Sequence, residues 1–114
     1  MNVSVGRYFE SQAVNYLKNS GHELVFRNFY SPYGEIDIIT VFKNKVRFIE
    51  VKFLSRVGKI YPIEKVNISK LRKIFFSIAY LKRFTKIRNY QVDSVSLYFK
   101  NKKLIIEYLE DLRL

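Results

Sequence analysis

The sequence predicts a single α/β (α+β) domain over residues 1–114, a sandwich with one central sheet and the element order α-β-β-β-α-β-β. Three observations predict it. Two stretches repeat their apolar residues at helical spacing. Five runs rich in β-branched and aromatic residues are separated by turn clusters. The length, 114 residues, suits one core, since two would each fall under about 60 residues and be marginal.

Residues 4–20 read as a first helix, with Phe9, Ala13, Tyr16 and Leu17 at helical spacing and Asn19-Ser20-Gly21 as its stop. Residues 23–29 read as a strand and Ser31-Pro32-Tyr33-Gly34 as a turn. Two apolar runs, 35–42 and 46–53, flank Lys43-Asn44-Lys45 and predict a hairpin. Residues 54–67 hold Gly58 and Pro62, lack a clean period and read as a long loop. Ser69 is the expected N-cap of a second helix reaching about residue 84, whose apolar stripe is Leu71, Ile74, Phe75, Ile78 and Leu81. Two closing strands, 92–99 and 104–109, meet at the polar tip Lys100-Asn101-Lys102-Lys103.

Composition narrows the chemistry. There is no Cys, which removes disulfides, thiolate metal sites and cysteine nucleophiles. The one His, His22, falls in the turn after the first helix, where it is expected to be exposed and without a role. Carboxylates, lysines and hydroxyls remain. Lys and Arg number 21 against 10 Asp and Glu, a net charge of +11, which suits a polyanionic partner. Residues 59–103 carry 12 of the basic residues and only Glu64 and Asp93 as acids. That asymmetry reads as a nucleic-acid-facing half, against the alternatives of a solvated basic face or a surface for anionic lipid. The segment 1–7 has no apolar stretch of a signal peptide, and no run approaches 18 uncharged apolar residues. The expectation is a cytoplasmic protein with no membrane segment.

The hairpin gathers the candidate chemistry. If Asn44-Lys45 form its two-residue turn, Lys52 lies opposite Asp37, and Glu50 sits diagonal to Asp37 on the same face. The flanks, Ile-Asp-Ile-Ile and Phe-Ile-Glu-Val-Lys, are strongly apolar. Charges placed there are costly unless they pair or bind a metal. Two carboxylates suit Mg²⁺ (or Mn²⁺), which keeps several waters and takes few protein oxygens. Lys52 beside such an ion would orient water or neutralise charge on phosphate. The alternative is an ordinary cross-strand ion pair between Asp37 and Lys52.

The same residues carry a family resemblance. Gly34-Glu35-Ile36-Asp37-Ile38-Ile39 followed by Phe48-Ile49-Glu50-Val51-Lys52 resembles the YraN family, UPF0102, of small bacterial proteins. Gly6-Arg7 with Glu10 and Ala13, then Asn28, then Pro62, Glu64, Val66 and Lys70, match further parts of its pattern. That family belongs to the PD-(D/E)XK nuclease superfamily and is similar in fold to archaeal Holliday-junction resolvases. The resemblance implies a restriction-endonuclease-like core with a central mixed sheet flanked by helices. It implies Asp37 and Glu50 as metal ligands, Lys52 as the catalytic lysine and Glu10 as an additional acid at the metal. Glu35 reads either as a further partner of Asp37 or as a strand-edge charge. The family carries Arg two residues after the lysine and two after the Asn, where this chain has Leu54 and Tyr30 and its next Arg is Arg56.

The expected function is therefore a Mg²⁺-dependent endonuclease acting on branched or single-stranded DNA. Arg56, Lys59, Lys70, Lys73, Lys82, Arg83, Lys86 and Arg88 would grip backbone without reading sequence. Cutting both strands of a duplex implies a homodimer. The alternative is a non-catalytic nucleic-acid-binding module on the same fold. A third reading gives Tyr61, Tyr90 and Tyr98 to a protein partner.

Overall fold

The computed structural model describes residues 3–54 and 67–114. Its elements are α1 (Val3–Asn19), β1 (Glu23–Ser31), β2 (Gly34–Phe42), β3 (Lys45–Leu54), α2 (Ile68–Lys82), β4 (Tyr90–Lys100) and β5 (Lys103–Leu109), the order that the sequence predicts. The five strands form one mixed sheet in the order β1-β2-β3-β4-β5. All neighbours are antiparallel except β3 and β4, which run parallel from Val46 opposite Tyr90 to Leu54 opposite Tyr98. Parallel neighbours need a long crossover connection, and α2 lies within this one. Arg56, Lys59, Tyr61, Pro62, Glu64 and Val66 fall outside the described residues.

The helices cover opposite faces of the sheet. Phe9, Ala13, Val14 and Leu17 of α1 pack with Ile38, Ile49, Val95 and Leu97. Leu71, Ile74 and Ile78 of α2 pack with Ile36, Ile39, Phe48 and Val92. Adjacent residues Phe48 and Ile49 thus serve opposite cores, the period-two alternation of a central strand buried on both faces. The helix α1 ends where expected, with Gly21 at a φ of +100° and the His22 amide donating to the Leu17 carbonyl at 2.9 Å.

Several local expectations are corrected. The β2–β3 turn is Lys43-Asn44, with φ of +51° and +60°, a type I′ turn closed by Phe42 opposite Lys45. The residues opposite each β2 position shift accordingly, and the ladder stops at Ile38 opposite Ile49, so Lys52 is not the cross-strand partner of Asp37, whose carboxylate accepts from the Val51 amide instead. The N-cap of α2 is Asn67 rather than Ser69, its side chain accepting from the Lys70 amide at 3.1 Å. Ser31 belongs to β1, leaving Pro32-Tyr33 as the turn.

His22 is buried, not exposed. It stacks on Phe42 with ring centres 4.2 Å apart, and its Nδ1 lies 2.7 Å from Thr40 Oγ1. Burial, reinforced by the Arg47 charge, lowers its pKa. Tyr98 is buried as well, its hydroxyl donating to Glu107 Oε1 at 2.8 Å.

Asp93 is fully buried in β4. Its carboxylate accepts from Gln91 Nε2 at 2.8 Å, the Asp111 amide at 2.9 Å, Arg47 Nη1 at 3.4 Å and the Tyr108 hydroxyl. Burial, together with this hydrogen bond, raises the Tyr108 pKa and keeps the phenol protonated. This network ties β3, β4, β5 and the C-terminal residues together.

Candidate functional site

The site begins with a break in strand alternation. Ile36 packs in the core under α2, yet Ile38, two residues later, packs in the core under α1. The phase slips at Asp37. On the neighbouring strand Asn28 adopts a φ of +57° between Arg27 and Phe29, which stand opposite Ile38 and Ile36. Asn is among the few residues that take this left-handed conformation at low cost. The β2–β3 ladder also ends here, and the Val51 amide donates to Asp37 Oδ2 at 2.8 Å. Asp37 is thereby turned toward a cleft of about 360 Å³ lined by Gly34, Glu35, Asn67, Ser69, Lys70 and Lys73.

Glu50 shares the face of Phe48, toward α2, and only 2% of it is exposed. Its Oε1 lies 3.0 Å from Lys70 Nζ, in the first turn of α2. Glu35 and Glu10 complete the surroundings. With its amide turned so that the NH₂ group faces the carboxylates, Asn28 donates to Glu35 Oε1 at 2.7 Å and Glu10 Oε1 at 3.2 Å. Arg27 Nη2 stands 3.8 Å from Glu10 Oε1.

These charges perturb one another. Burial raises the Asp37 pKa to about 6, and Glu35 and Glu10 add to the rise, while the Val51 amide and Lys70 oppose it. Glu35 is raised by burial and by Glu10. Burial would lower Lys70, but Glu50, Asp37 and Glu35 outweigh it and the ammonium is held more firmly. A carboxylate raised in this way in a cleft is a frequent mark of a functional site, although structural networks produce it too.

The shift has a measurable consequence. The folded protein binds the Asp37 proton more tightly than the unfolded chain, whose carboxylate titrates near 3.8. The stabilising contribution of protonated Asp37 is therefore complete below about pH 4 and is lost as pH rises to about 6. Asp37→Asn keeps an acceptor for Val51 and cannot ionise. Its stability relative to wild type is expected to improve between pH 4 and pH 6 and stay level above, in urea denaturation without divalent metal. A difference independent of pH would contradict the burial assigned to Asp37.

Of the other site residues inferred from sequence, Lys52 lies two positions beyond Glu50 on the same strand face, half-buried and opposite Ser96. Lys73 lines the cleft with Lys70. Lys82 and Arg83 lie at the other end of α2, about 18 Å along its axis from Lys70; Lys82 covers the Tyr90 ring at 5.0 Å. Arg56 and Lys59 lie outside the described residues. The sequence missed the Lys70–Glu50 pair and the bridging role of Asn28. An Asn in the middle of an apolar strand run was the available signal for the second.

The donor chemistry fits a hard divalent cation, since Asp37 and Glu50 offer carboxylate oxygens from adjacent strands. Among the described residues no three carboxylate or imidazole side chains converge closely enough to share an ion. Two carboxylates alone would suit only an ion that keeps most of its waters. Glu10 raises the Asp37 pKa through its charge.

Fold and site together define a small α+β protein with Asp37 and two lysines in one cleft and the buried Glu50 paired with one of those lysines, and comparison gives it a family. Residues 9–97 match the uncharacterised protein family UPF0102. A UPF0102 protein of Persephonella marina is 37% identical over 98 residues, covering 84% of each chain. Another, of Clostridium perfringens, is 33% identical over 116 residues, covering 96% of this chain and 93% of its own. A third, of Aquifex aeolicus, is 44% identical over 69 residues, covering 60% and 64%. The chain belongs to the UPF0102 family. Among the described residues no helix is long and apolar enough to cross a membrane.

Proposed function

We infer that this protein is a Mg²⁺-dependent endonuclease that hydrolyses DNA phosphodiester bonds, with Asp37 and Glu50 holding the ion and the cleft beside them receiving the scissile phosphate. The observation that carries this reading is the pairing of those carboxylates with a cleft wall of lysines on the first turns of α2. A catalytic pocket for a polyanion needs both: acid to hold the metal and base to offset phosphate charge.

When bound, Mg²⁺ supplies a Lewis acid that polarises the phosphodiester and lowers the pKa of water. The residues do the positioning. Asp37, fixed by the Val51 amide, presents its carboxylate to the cleft. Glu50 would hold the ion with Asp37, and the half-exposed Lys70 ammonium, now paired with Glu50, would then stand available to phosphate beside Lys73. Lys52, on the face of Glu50, orients the attacking water or neutralises charge developing on phosphate. Glu10 and Glu35, joined through Asn28, oppose the ionisation of Asp37 and add negative potential that favours a cation beside it.

The test is incubation of the full chain with labelled single-stranded, nicked, branched and duplex DNA in Mg²⁺, Mn²⁺ or EDTA. Cleavage is expected with either metal, none in EDTA and none with Asp37→Ala. DNA held equally well in all conditions without cleavage would replace this reading by the non-catalytic binding module.

A further inference from the structure

Along α2, starting at the cleft, runs a row of aromatic rings, three exposed and one, Tyr80, half-buried, outside both core clusters. The buried stripe of this helix is Leu71, Ile74 and Ile78. Elsewhere on it Phe76 is 50% exposed, and Phe84, just past its end, is 68% exposed. Tyr33, in the β1–β2 turn, is 49% exposed. These rings are not scattered. Tyr33 lies 5.7 Å from Phe76 and 6.4 Å from Tyr80 between ring centres, and Tyr80 lies 5.2 Å from Phe84. Positions 73, 76, 80 and 84 share one helical face. Tyr33 directly precedes Gly34 of the cleft lining, and Lys73, which also lines the cleft, is one turn from Phe76.

Beyond Glu35 and Asp37 of the cleft, the charge along α2 is of one sign. No acidic residue occurs between Glu64 and Asp93, and α2 itself carries Lys70, Arg72, Lys73 and Lys82. The Arg83 guanidinium lies 6.0 Å from the Phe84 ring centre. A solvent-facing row of rings embedded in basic charge is the composition that holds single-stranded nucleic acid, since unpaired bases expose faces for stacking while backbone phosphates meet the cations. A duplex keeps its bases stacked on one another and offers the rings little.

We propose that Tyr33, Phe76, Tyr80 and Phe84 form a stacking platform for unpaired bases, which delivers a single-stranded segment of nucleic acid to the Asp37–Glu50 cleft. The platform names the substrate class of the nuclease reading and rests on that reading only for the destination of the strand. Binding itself needs no metal.

The experiment measures fluorescence anisotropy of the full chain in EDTA. The probes are a labelled 15-nucleotide oligothymidine, an abasic phosphodiester chain of equal length and a 15-base-pair duplex. Oligothymidine is expected to bind most tightly. Phe76→Ala and Phe84→Ala, each confirmed folded by circular dichroism, are expected to weaken it by roughly 5- to 100-fold and leave the abasic chain nearly unchanged. Equal binding of oligothymidine and abasic chain, a duplex bound more tightly than either, or variants that weaken all probes alike would overturn the platform and leave the rings to a protein partner. Because no metal is present, these outcomes are separate from the cleavage test: a protein that stacks bases but never cuts would sink only the nuclease reading.

Discussion

Glu50→Gln is expected to abolish metal-dependent cleavage while leaving the fold at least as stable as wild type. The two effects have one cause. Glu50 is a carboxylate with 2% exposure, and a buried ion pair adds little net stability because desolvation cancels most of its attraction. Neutralising it removes that desolvation cost, and Lys70, whose side chain is 49% exposed, returns to water. Groups that merely support metal ligands are worth about 10–100-fold in affinity or activity, so losing a ligand is expected to cost at least about 100-fold. Lys70→Met should act in the opposite sense: it leaves Glu50 charged without its partner. The expected loss is about 1–3 kcal/mol, less than for a fully buried pair because Lys70 is half exposed. Urea denaturation of both variants, with and without Mg²⁺, checks the pair. Stability lost in Glu50→Gln and unchanged in Lys70→Met would mean that Glu50 is a structural residue.

The largest stability effect is expected at Asp93. Asp93→Ala strips the buried Arg47 guanidinium of one of its two carboxylate partners and leaves the Gln91 amide, the Tyr108 hydroxyl and the Asp111 amide without an acceptor. Removing one side of a buried charged network costs about 3–5 kcal/mol, a large part of the roughly 5–15 kcal/mol that holds a typical fold. Asp93→Asn keeps an acceptor and should lose less. Thermal and urea unfolding followed by circular dichroism measure both; a loss below about 1 kcal/mol for Asp93→Ala would mean that Glu110 alone suffices for Arg47.

What the sequence revealed follows from the range of each interaction. Phe9, Ala13 and Leu17, like Leu71, Ile74 and Ile78, announce their helices because periodicity is local, and all six are buried. The alternation around Phe48 and Ile49 was legible for the same reason. The hairpin register was legible only to within one turn position, since Lys43-Asn44 and Asn44-Lys45 differ in which residue takes the left-handed conformation. Asp37 and Glu50 stood out as charges in apolar strands. Lys70 beside Glu50 was not legible, because the contact depends on where the crossover returns α2 to the sheet. Asp93 shows the same limit: four partners spread over β3, β4, β5 and the C-terminal residues turn an isolated acid into the anchor of a network. The place of His22 after a helix points to solvent, whereas the pairing of β1 with β2 brings Thr40 and Phe42 against it and encloses it.

The parallel pairing of β3 with β4 sets a timetable for synthesis. As the chain emerges from the ribosome, α1 and the three antiparallel strands can associate through neighbouring segments. The second edge of β3 has to wait until the chain has passed α2 and extended through β4, and non-local pairings of this kind form slowly. Asp37 and Glu50 are thus made well before the lysines of α2 and the strand that completes their sheet. A chain made only as far as β3 holds the acidic half of the cleft without its basic wall, so whatever polyanion the finished protein attracts has little to hold there until α2 has been translated.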